Sequence, residues 1–140
     1  MTVRRQATLF LYDESLDALR RQWNPLQAAL IDCHVTLLRE DEVEDWDEIK
    51  NRLLTMPRAF EMEFGKPIRE ENLVYLPCVE GAESFQSLRA TLLQSGSHEP
   101  RLHKPHVTLI HPRNGLCTDA IFEAIFQSVE KSESSSARFV

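Results

Sequence analysis

The same five-residue pattern occurs twice in the chain, and it limits the folds that the chain can adopt. HVTLL occupies residues 34–38 and HVTLI occupies residues 106–110, so the two histidines are 72 residues apart. Val and Thr favour strands because their branched side chains pack well on a pleated surface. A pattern that returns at one spacing indicates an internal duplication. The sequence therefore predicts two similar halves, each built around a strand that begins with histidine.

The apolar residues that follow each motif keep the same spacing. Ile49 and Ile121 each lie 15 residues after their histidine, and Leu53 and Ile125 each lie 19 residues after it. Residues four apart lie on one face of a helix. We therefore expect a helix with a matching buried face after each HVTL strand.

The rest of the chain alternates between strand and helix patterns. ATLFLY, at Ala7–Tyr12, predicts a strand, and a helical pattern from Ser15 to Leu30 is interrupted at Asn24-Pro25, where Asn as N-cap and Pro as the first residue restart a helix. The other predicted strands cover 33–38, 59–64, 72–78, 106–111 and 137–140; the other helices cover 45–54, 84–94 and 118–130; a turn covers 65–72 and a polar loop covers 95–105.

This order predicts an α+β fold. We expect a single bilobal domain of two pseudo-twofold-related strand-helix-strand-helix-strand halves, each with a small, mainly antiparallel sheet and outer helices. The first lobe covers about residues 1–66 and the second about 67–140. The last strand stops at Val140, so we expect it to be incomplete in the second lobe.

Composition and charge exclude several classes of protein. With 140 residues, 42% of them hydrophobic, the chain can bury one core. Three cysteines without a CxxC pair predict neither a disulfide framework nor a zinc site. No basic segment followed by an apolar segment, the pattern of a signal peptide, opens the given sequence, and no apolar run reaches the roughly 18 residues of a membrane span. We expect a soluble, cytoplasmic protein with no membrane contact.

The net charge of −6 argues against a protein that binds long nucleic acid, since such binding depends on phosphate neutralisation. Seven carboxylates are concentrated between Glu40 and Glu48. We interpret this acidic segment as a solvated loop that leads into a helix N-terminus, where negative charge is favourable.

Side chains two residues apart lie on the same face of a strand. His34 therefore shares a face with Thr36, and His106 with Thr108. If the two halves face each other, two imidazoles and two hydroxyls meet at one site. One histidine can then take a proton from an attacking group, the other can donate one to a leaving group, and the hydroxyls can hold a phosphate. This chemistry requires no metal and no cofactor.

Other interpretations of these residues remain. A single histidine in an apolar strand is usually a core residue, and Cys33 beside His34 could form a Cys–His pair, although adjacent strand residues face opposite sides. Four histidines within fourteen residues could bind a metal, although His111 has the opposite strand parity to His106 and the first HVTL would be unexplained. That set consists of His98, His103, His106 and His111.

The paired HVTL strands resemble the signature of the two-histidine (2H) phosphoesterase superfamily, which includes bacterial 2′-5′ RNA ligase-like proteins and cyclic nucleotide phosphodiesterases. The resemblance extends over the whole chain through the strand and helix order. Pro105 precedes the second motif, as in many members, whereas Cys33 precedes the first. The resemblance implies that His34 and His106 form the acid–base pair.

The resemblance further implies that Thr36 and Thr108 hold the phosphate of a 2′,3′-cyclic phosphate or a related 2′-5′ phosphodiester. We expect the substrate to be a small nucleotide or an RNA end. Lys104 and Arg113 are candidates for attracting it, and Tyr12 and Tyr75 for lining the core or the cleft. A nucleotide or RNA-end binding module without turnover and a partner-binding structural protein are the alternatives. The sequence gives no indication of oligomeric state.

Overall fold

The computed structural model describes residues 6–11, 13–55, 59–93, 103–129 and 135–139. These residues form five α-helices, seven strands and a short 3₁₀ helix at Glu40–Glu42. The strands are β1 (Ala7–Leu11), β2 (His34–Leu38), β3 (Ala59–Phe64), β4 (Ile68–Glu70), β5 (Leu73–Glu80), β6 (His106–Ile110) and β7 (Ser135–Phe139). The helices are α1 (Glu14–Trp23), α2 (Pro25–Leu30), α3 (Trp46–Leu53), α4 (Ala82–Leu92) and α5 (Asp119–Val129).

The predicted interruption at Asn24-Pro25 divides α1 from α2. Asp13 begins α1, where its Oδ1 accepts hydrogen bonds from the backbone N–H groups of Ser15 at 3.0 Å and Leu16 at 3.2 Å. Pro25 is the first residue of α2, a position where its missing N–H costs no helix hydrogen bond. Asn24 is the residue before it, but its side chain does not cap the helix. That side chain instead forms hydrogen bonds with the segment that follows β6.

The strands follow the order β2-β1-β7-β3-β5-β4, with β6 on β5 outside this path. All of the pairings among these strands are antiparallel. The two HVTL strands are used in the same way, since β2 pairs with β1 and β6 pairs with β5. Helices and antiparallel strands together confirm the α+β class.

The last strand lies where we did not expect it. We expected it to close the second half, but β7 pairs with β1 on one side and with β3 on the other. The backbone edges of β1 and β3 both need hydrogen-bond partners, and one inserted strand satisfies both. Strand β3 in turn pairs with β5 through Glu63 and Phe64, so strands from the two halves of the sequence share the same sheet path.

The turn expected over residues 65–72 contains a strand. Ile68–Glu70 forms β4, which pairs with Leu73, Val74 and Tyr75 of β5. Only Glu71 and Asn72 separate the two strands, and Glu71 has a positive φ of 55°. A two-residue hairpin loop requires that left-handed backbone, which glycine usually supplies. The turn contains no glycine, so the sequence pattern did not predict it.

The core draws apolar side chains from both halves of the chain. Val35 and Leu37 of β2 and Val107 and Leu109 of β6 are all buried, and Ile49 and Ile125 join the same cluster from α3 and α5. Leu53 and Ile121, the other two positions of the matched set, are partly buried and pack against this cluster, so all four positions face inward as their spacing predicted. Within the ranges described above, no helix has the length and apolar character needed to cross a membrane.

One part of the acidic segment is not solvated. Glu42 lies at the end of the 3₁₀ helix, and its carboxylate is only 6% exposed because it pairs with the buried guanidinium of Arg89. Asp45 begins α3, where its Oδ1 accepts a hydrogen bond from Asp47 N at 2.9 Å. The predicted helix N-terminus is confirmed, but the prediction of a wholly solvated loop was wrong at Glu42.

Candidate active site

The two motif histidines begin β2 and β6 and have matching environments. In both strands the histidine and the threonine are half-buried, whereas the valine and leucine between and after them are buried. This is the alternation that strand geometry requires. His34 and Thr36 therefore share the accessible side of β2, and His106 and Thr108 share that of β6.

Both imidazoles are oriented by the same backbone contact. Nδ1 of His34 lies 2.9 Å from the carbonyl oxygen of Asp32, and Nδ1 of His106 lies 2.9 Å from the carbonyl oxygen of Lys104. A carbonyl oxygen only accepts, so Nδ1 carries the proton in both rings and donates it. In the neutral ring Nε2 is then the nitrogen with a lone pair, and it is left to exchange a proton with a ligand.

An aromatic ring supports each histidine from the neighbouring strand. Phe10 of β1 lies opposite His34, with the ring centroids 6.5 Å apart in an edge-to-face arrangement. Tyr75 of β5 lies opposite Thr108, and its ring is edge-to-face with His106 at 5.5 Å. Such contacts restrict the rotation of the imidazoles. The sequence named Tyr75 but not Phe10, which alternation along β1 could have indicated.

The two HVTL strands lie beside each other although they do not pair in the sheet. The charge of His106 acts on His34, which is the electrostatic consequence of that proximity. The structure thus brings together the two strands that the sequence could relate only by their similarity.

Burial lowers the pKa of His34 below its usual value of 6.5. The hydrogen bond to the Asp32 carbonyl raises it, and the positive charges of Arg20 and His106 lower it further. A histidine with a lowered pKa is neutral at pH 7 and has a lone pair available. His34 is therefore suited to accept a proton.

A third histidine lies close to the pair. The ring centroid of His103 is 6.1 Å from that of His106, and its ring stacks on Phe85 at 5.9 Å. Burial, with the charges of Arg89, Arg39 and His106, lowers the pKa of His103 to about 4. His103 is therefore a neutral ring that forms part of the surroundings of His106. From the sequence alone, His103 could be considered only as one of four possible metal ligands.

Of the four histidines considered as a metal site, the structure describes His103, His106 and His111. Nδ1 of His111 accepts a hydrogen bond from Arg113 N at 3.1 Å, and Nε2 of His103 is buried. His98 lies outside the described residues. Across the ranges that the structure covers, no three His, Cys, Asp or Glu side chains are grouped so that they could hold a metal ion.

Cys33 is not arranged as a nucleophile. Its side chain is fully buried in the hydrophobic core, and burial raises the pKa of its thiol to about 12. A thiol with so high a pKa supplies almost no thiolate at neutral pH. The Cys–His interpretation therefore has no geometric support.

The basic candidates lie at the surface near the second motif. Lys104 is exposed, and its backbone carbonyl is the group that orients His106. Arg113 is exposed beyond the end of β6, where its charge helps to lower the pKa of His111. Tyr12 lies outside the described residues.

A buried polar network holds the first helices against the end of β6. Oδ1 of Asn24 accepts a hydrogen bond from His111 N at 2.8 Å, and its Nδ2 donates to Oδ1 of Asn114 at 3.0 Å. Nδ2 of Asn114 donates to Oε1 of Gln27 at 3.0 Å. Gly115 is required beside it, because a Cβ there would lie 2.9 Å from Asn24. This network fixes the relation between the two halves close to the motif strands.

A cavity of about 200 Å³ lies beside α3, and no histidine lines it. Its lining residues are Glu42, Val43, Glu44, Asp45, Glu48, Ile49, Arg52, Leu92 and Leu93. Four carboxylates in its wall make it unsuitable for a phosphate. The histidines and threonines of the two motifs do not line this acidic cavity.

Comparison with known families agrees with this geometry. The family model of the 2′-5′ RNA ligase superfamily matches residues 11–139, which include both HVTL strands. The chain belongs to this superfamily, a family of two-histidine phosphoesterases. Comparisons with curated proteins and with solved structures find no match. Members of the 2′-5′ RNA ligase superfamily are enzymes, and the two histidine strands of this chain both fall within the matched region.

Proposed function

We propose that this protein is a phosphodiesterase that hydrolyses a 2′,3′-cyclic phosphate or a related 2′-5′ phosphodiester through His34 and His106. One observation carries the proposal. Both histidines donate through Nδ1 to a carbonyl oxygen two residues earlier, on neighbouring strands, and both therefore keep Nε2 for proton exchange. A histidine that only packed in the core would not require a second histidine with the same hydrogen bond on a neighbouring strand.

In-line displacement at phosphorus uses two proton-transfer groups on opposite sides of the reacting atom. One imidazole removes a proton from water as its oxygen attacks phosphorus, and the other gives a proton to the departing sugar oxygen. The hydroxyls of Thr36 and Thr108 donate to the non-bridging oxygens and stabilise the charge that grows on them. These steps use side chains only and require no metal or cofactor.

We infer that the substrate is a small nucleotide or an RNA end. The net charge of −6 and the carboxylates beside α3 disfavour a long polyanion. Lys104 and Arg113 are the exposed cations near β6 that would attract a single phosphate. Three free cysteines suit a reducing compartment, and we propose the cytoplasm as the site of action.

The test is hydrolysis of the four 2′,3′-cyclic nucleotides in excess EDTA, followed by phosphorus NMR. We expect one phosphomonoester isomer, and loss of at least about 10³-fold in rate in both His34→Ala and His106→Ala. His111→Ala is the matched control, because it removes a histidine next to β6 whose ring contacts the backbone of Arg113. It should retain activity.

Circular dichroism and thermal unfolding of each variant separate loss of chemistry from loss of folding. Full activity in either folded His→Ala variant would contradict the proposal, as would activity that disappears in EDTA and returns with a divalent metal. If the wild-type protein binds a cyclic nucleotide but does not convert it, the binding-module alternative is correct.

A further inference from the structure

The backbone before each motif histidine is held by a side chain from a helix. Nη2 of Arg20, in α1, donates to the carbonyl oxygen of Ile31 at 2.8 Å. Nε2 of Gln86, in α4, donates to the carbonyl oxygen of His103. Ile31 and His103 each lie three residues before their histidine. The two halves therefore use equivalent contacts to fix the segment that orients His34 and His106.

The two contacts differ in charge. Arg20 is 3% exposed, and no carboxylate among the residues described is within ion-pair distance of its guanidinium. Gln86 brings a neutral amide. The other buried guanidinium, that of Arg89, is paired with Glu42 at 2.6 Å. Within the described residues, a buried cation without a close carboxylate therefore contacts the segment before β2, and the second half has a neutral group at the matching position.

Two charged side chains and one backbone carbonyl act on His34. Arg20 lies on α1, His106 lies on β6, and Asp32 precedes β2 and contributes its backbone carbonyl. Asp13 and Asp17, at the start of α1, act with Asp32 on the neighbouring thiol of Cys33. Around His106 lie the neutral ring of His103 and the exposed Lys104. His103 is itself faced by Arg89, Arg39 and Glu42.

We propose that Arg20 is a positioning residue for His34, and that its contrast with Gln86 makes His34 the general base and His106 the general acid. The inference rests on the proposed function. The guanidinium holds the peptide at Ile31, one residue before the carbonyl that orients the imidazole, and its charge disfavours a second positive charge on that ring. Burial and Arg20 both act to lower the pKa of His34.

The resulting step is balanced in protons and bonds. Nε2 of His34 takes a proton from water while the water oxygen forms its bond to phosphorus. Nε2–H of His106 gives its proton to the leaving sugar oxygen while the bond from that oxygen to phosphorus breaks. Each histidine ends in the other protonation state, and exchange with solvent restores both.

The first experiment measures histidine protonation without turnover. Wild type, Arg20→Gln and Arg20→Lys are titrated by NMR of the ¹³C- or ¹⁵N-labelled imidazoles, with no substrate present. Arg20→Gln copies the neutral amide of the second half, so the pKa of His34 should rise, whereas Arg20→Lys should keep it close to wild type. Arg21→Gln is the matched control, because it removes the same charge from the next, exposed position of α1.

The second experiment is the pH dependence of kcat/KM for the same variants. Arg20→Gln should lose about threefold more kcat/KM at pH 5.5 than at pH 8, since its base is protonated over more of the acidic range. A purely structural role would lower kcat/KM equally at every pH. Arg21→Gln should match the wild-type profile.

An unchanged His34 titration in folded Arg20→Gln would overturn the inference, as would a rise of the same size in Arg21→Gln. If Arg20→Gln does not fold, Arg20→Lys provides the test: a shifted His34 titration in that variant would contradict the inference, since it keeps the charge. Because the NMR titration requires no turnover, a protein that proves inactive would defeat the proposed function while the role of Arg20 is still measured.

Discussion

Arg89 of α4 and Glu42, four residues after β2, form a buried ion pair, with Nη2 and Oε2 2.6 Å apart and the two side chains 1% and 6% exposed. Nη1 of Arg89 also donates to the carbonyl oxygen of Leu37 at 2.6 Å. Leu37 is part of the first HVTL motif, so this pair attaches a helix of the second half to the motif strand of the first.

Removing the charge of Glu42 should therefore destabilise the protein strongly. In Glu42→Gln the guanidinium stays buried without its counter-charge, and we expect a loss of about 3–5 kcal/mol in the free energy of unfolding, measured by urea denaturation. Glu48→Gln is the control, since Glu48 is 53% exposed in its pair with Arg52 and should cost less than about 1 kcal/mol. Equal losses in the two variants would refute the distinction between the buried and exposed pairs.

The Asn24 network should also stabilise the packing of the two halves against each other. Asn24→Ala leaves the part-buried N–H of His111 without its acceptor, so we expect a loss of about 1–3 kcal/mol in the free energy of unfolding. Asn51→Ala, at an exposed position of α3, should change the free energy of unfolding by less than about 0.5 kcal/mol. A small effect at Asn24 would mean that water replaces its hydrogen bonds.

The motif threonines should contribute to rate through their hydroxyls. Thr36→Val and Thr108→Val keep the shape of the side chain and remove the donor, and we expect each to lower kcat by about 10²-fold. Thr36→Ser and Thr108→Ser keep the donor and should retain most of the activity. Steady-state kinetics on a cyclic nucleotide gives the comparison, and equal activity in the Val and Ser variants would exclude a role for the hydroxyls.

His103 should make the protein less stable in mild acid. The unfolded chain protonates it near pH 6.5, whereas the folded protein does so near a pKa of about 4. Between these values the unfolded state binds more protons, so stability falls as the pH falls, and above about pH 6.5 it is unaffected. The ring is half-buried, so after solvent screening we expect a loss of about 1–2 kcal/mol in the free energy of unfolding.

The measurement is urea denaturation at several pH values for wild type and His103→Leu. His34 and His111 also have lowered pKa values, so both proteins lose stability in acid, but the variant should lose less. The difference between the two curves of unfolding free energy against pH gives the contribution of His103. Parallel curves from pH 7 to pH 4.5 would show that its protonation does not oppose folding.

Much of the fold could be predicted because its signals are local. The break at Asn24-Pro25 depends on two adjacent residues, and the inward positions of Ile49 and Ile125 depend on helical spacing within one turn. The shared face of His34 and Thr36 follows from strand parity alone. The β4–β5 hairpin was not predicted because Glu71 adopts a positive φ, which is not expected of a glutamate from the sequence.

The sequence pattern around Arg20 could have predicted that this residue is buried. Leu16, Leu19 and Trp23 follow the spacing of a buried helix face, and Arg20 lies on that face among them. A charged residue at an apolar position of an amphipathic helix indicates a specific buried partner. The sequence alone could not name Ile31 as that partner.

By itself the sequence determined the two histidine strands, the face on which their histidines and threonines lie, and the family to which they belong. Only the tertiary structure decided that β7 enters between β1 and β3, that Glu42 is buried against Arg89, and that a cation holds one motif while an amide holds the other. The first set depends on residues within a few positions of one another. The second depends on contacts between segments far apart in the chain, which packing of the whole core selects.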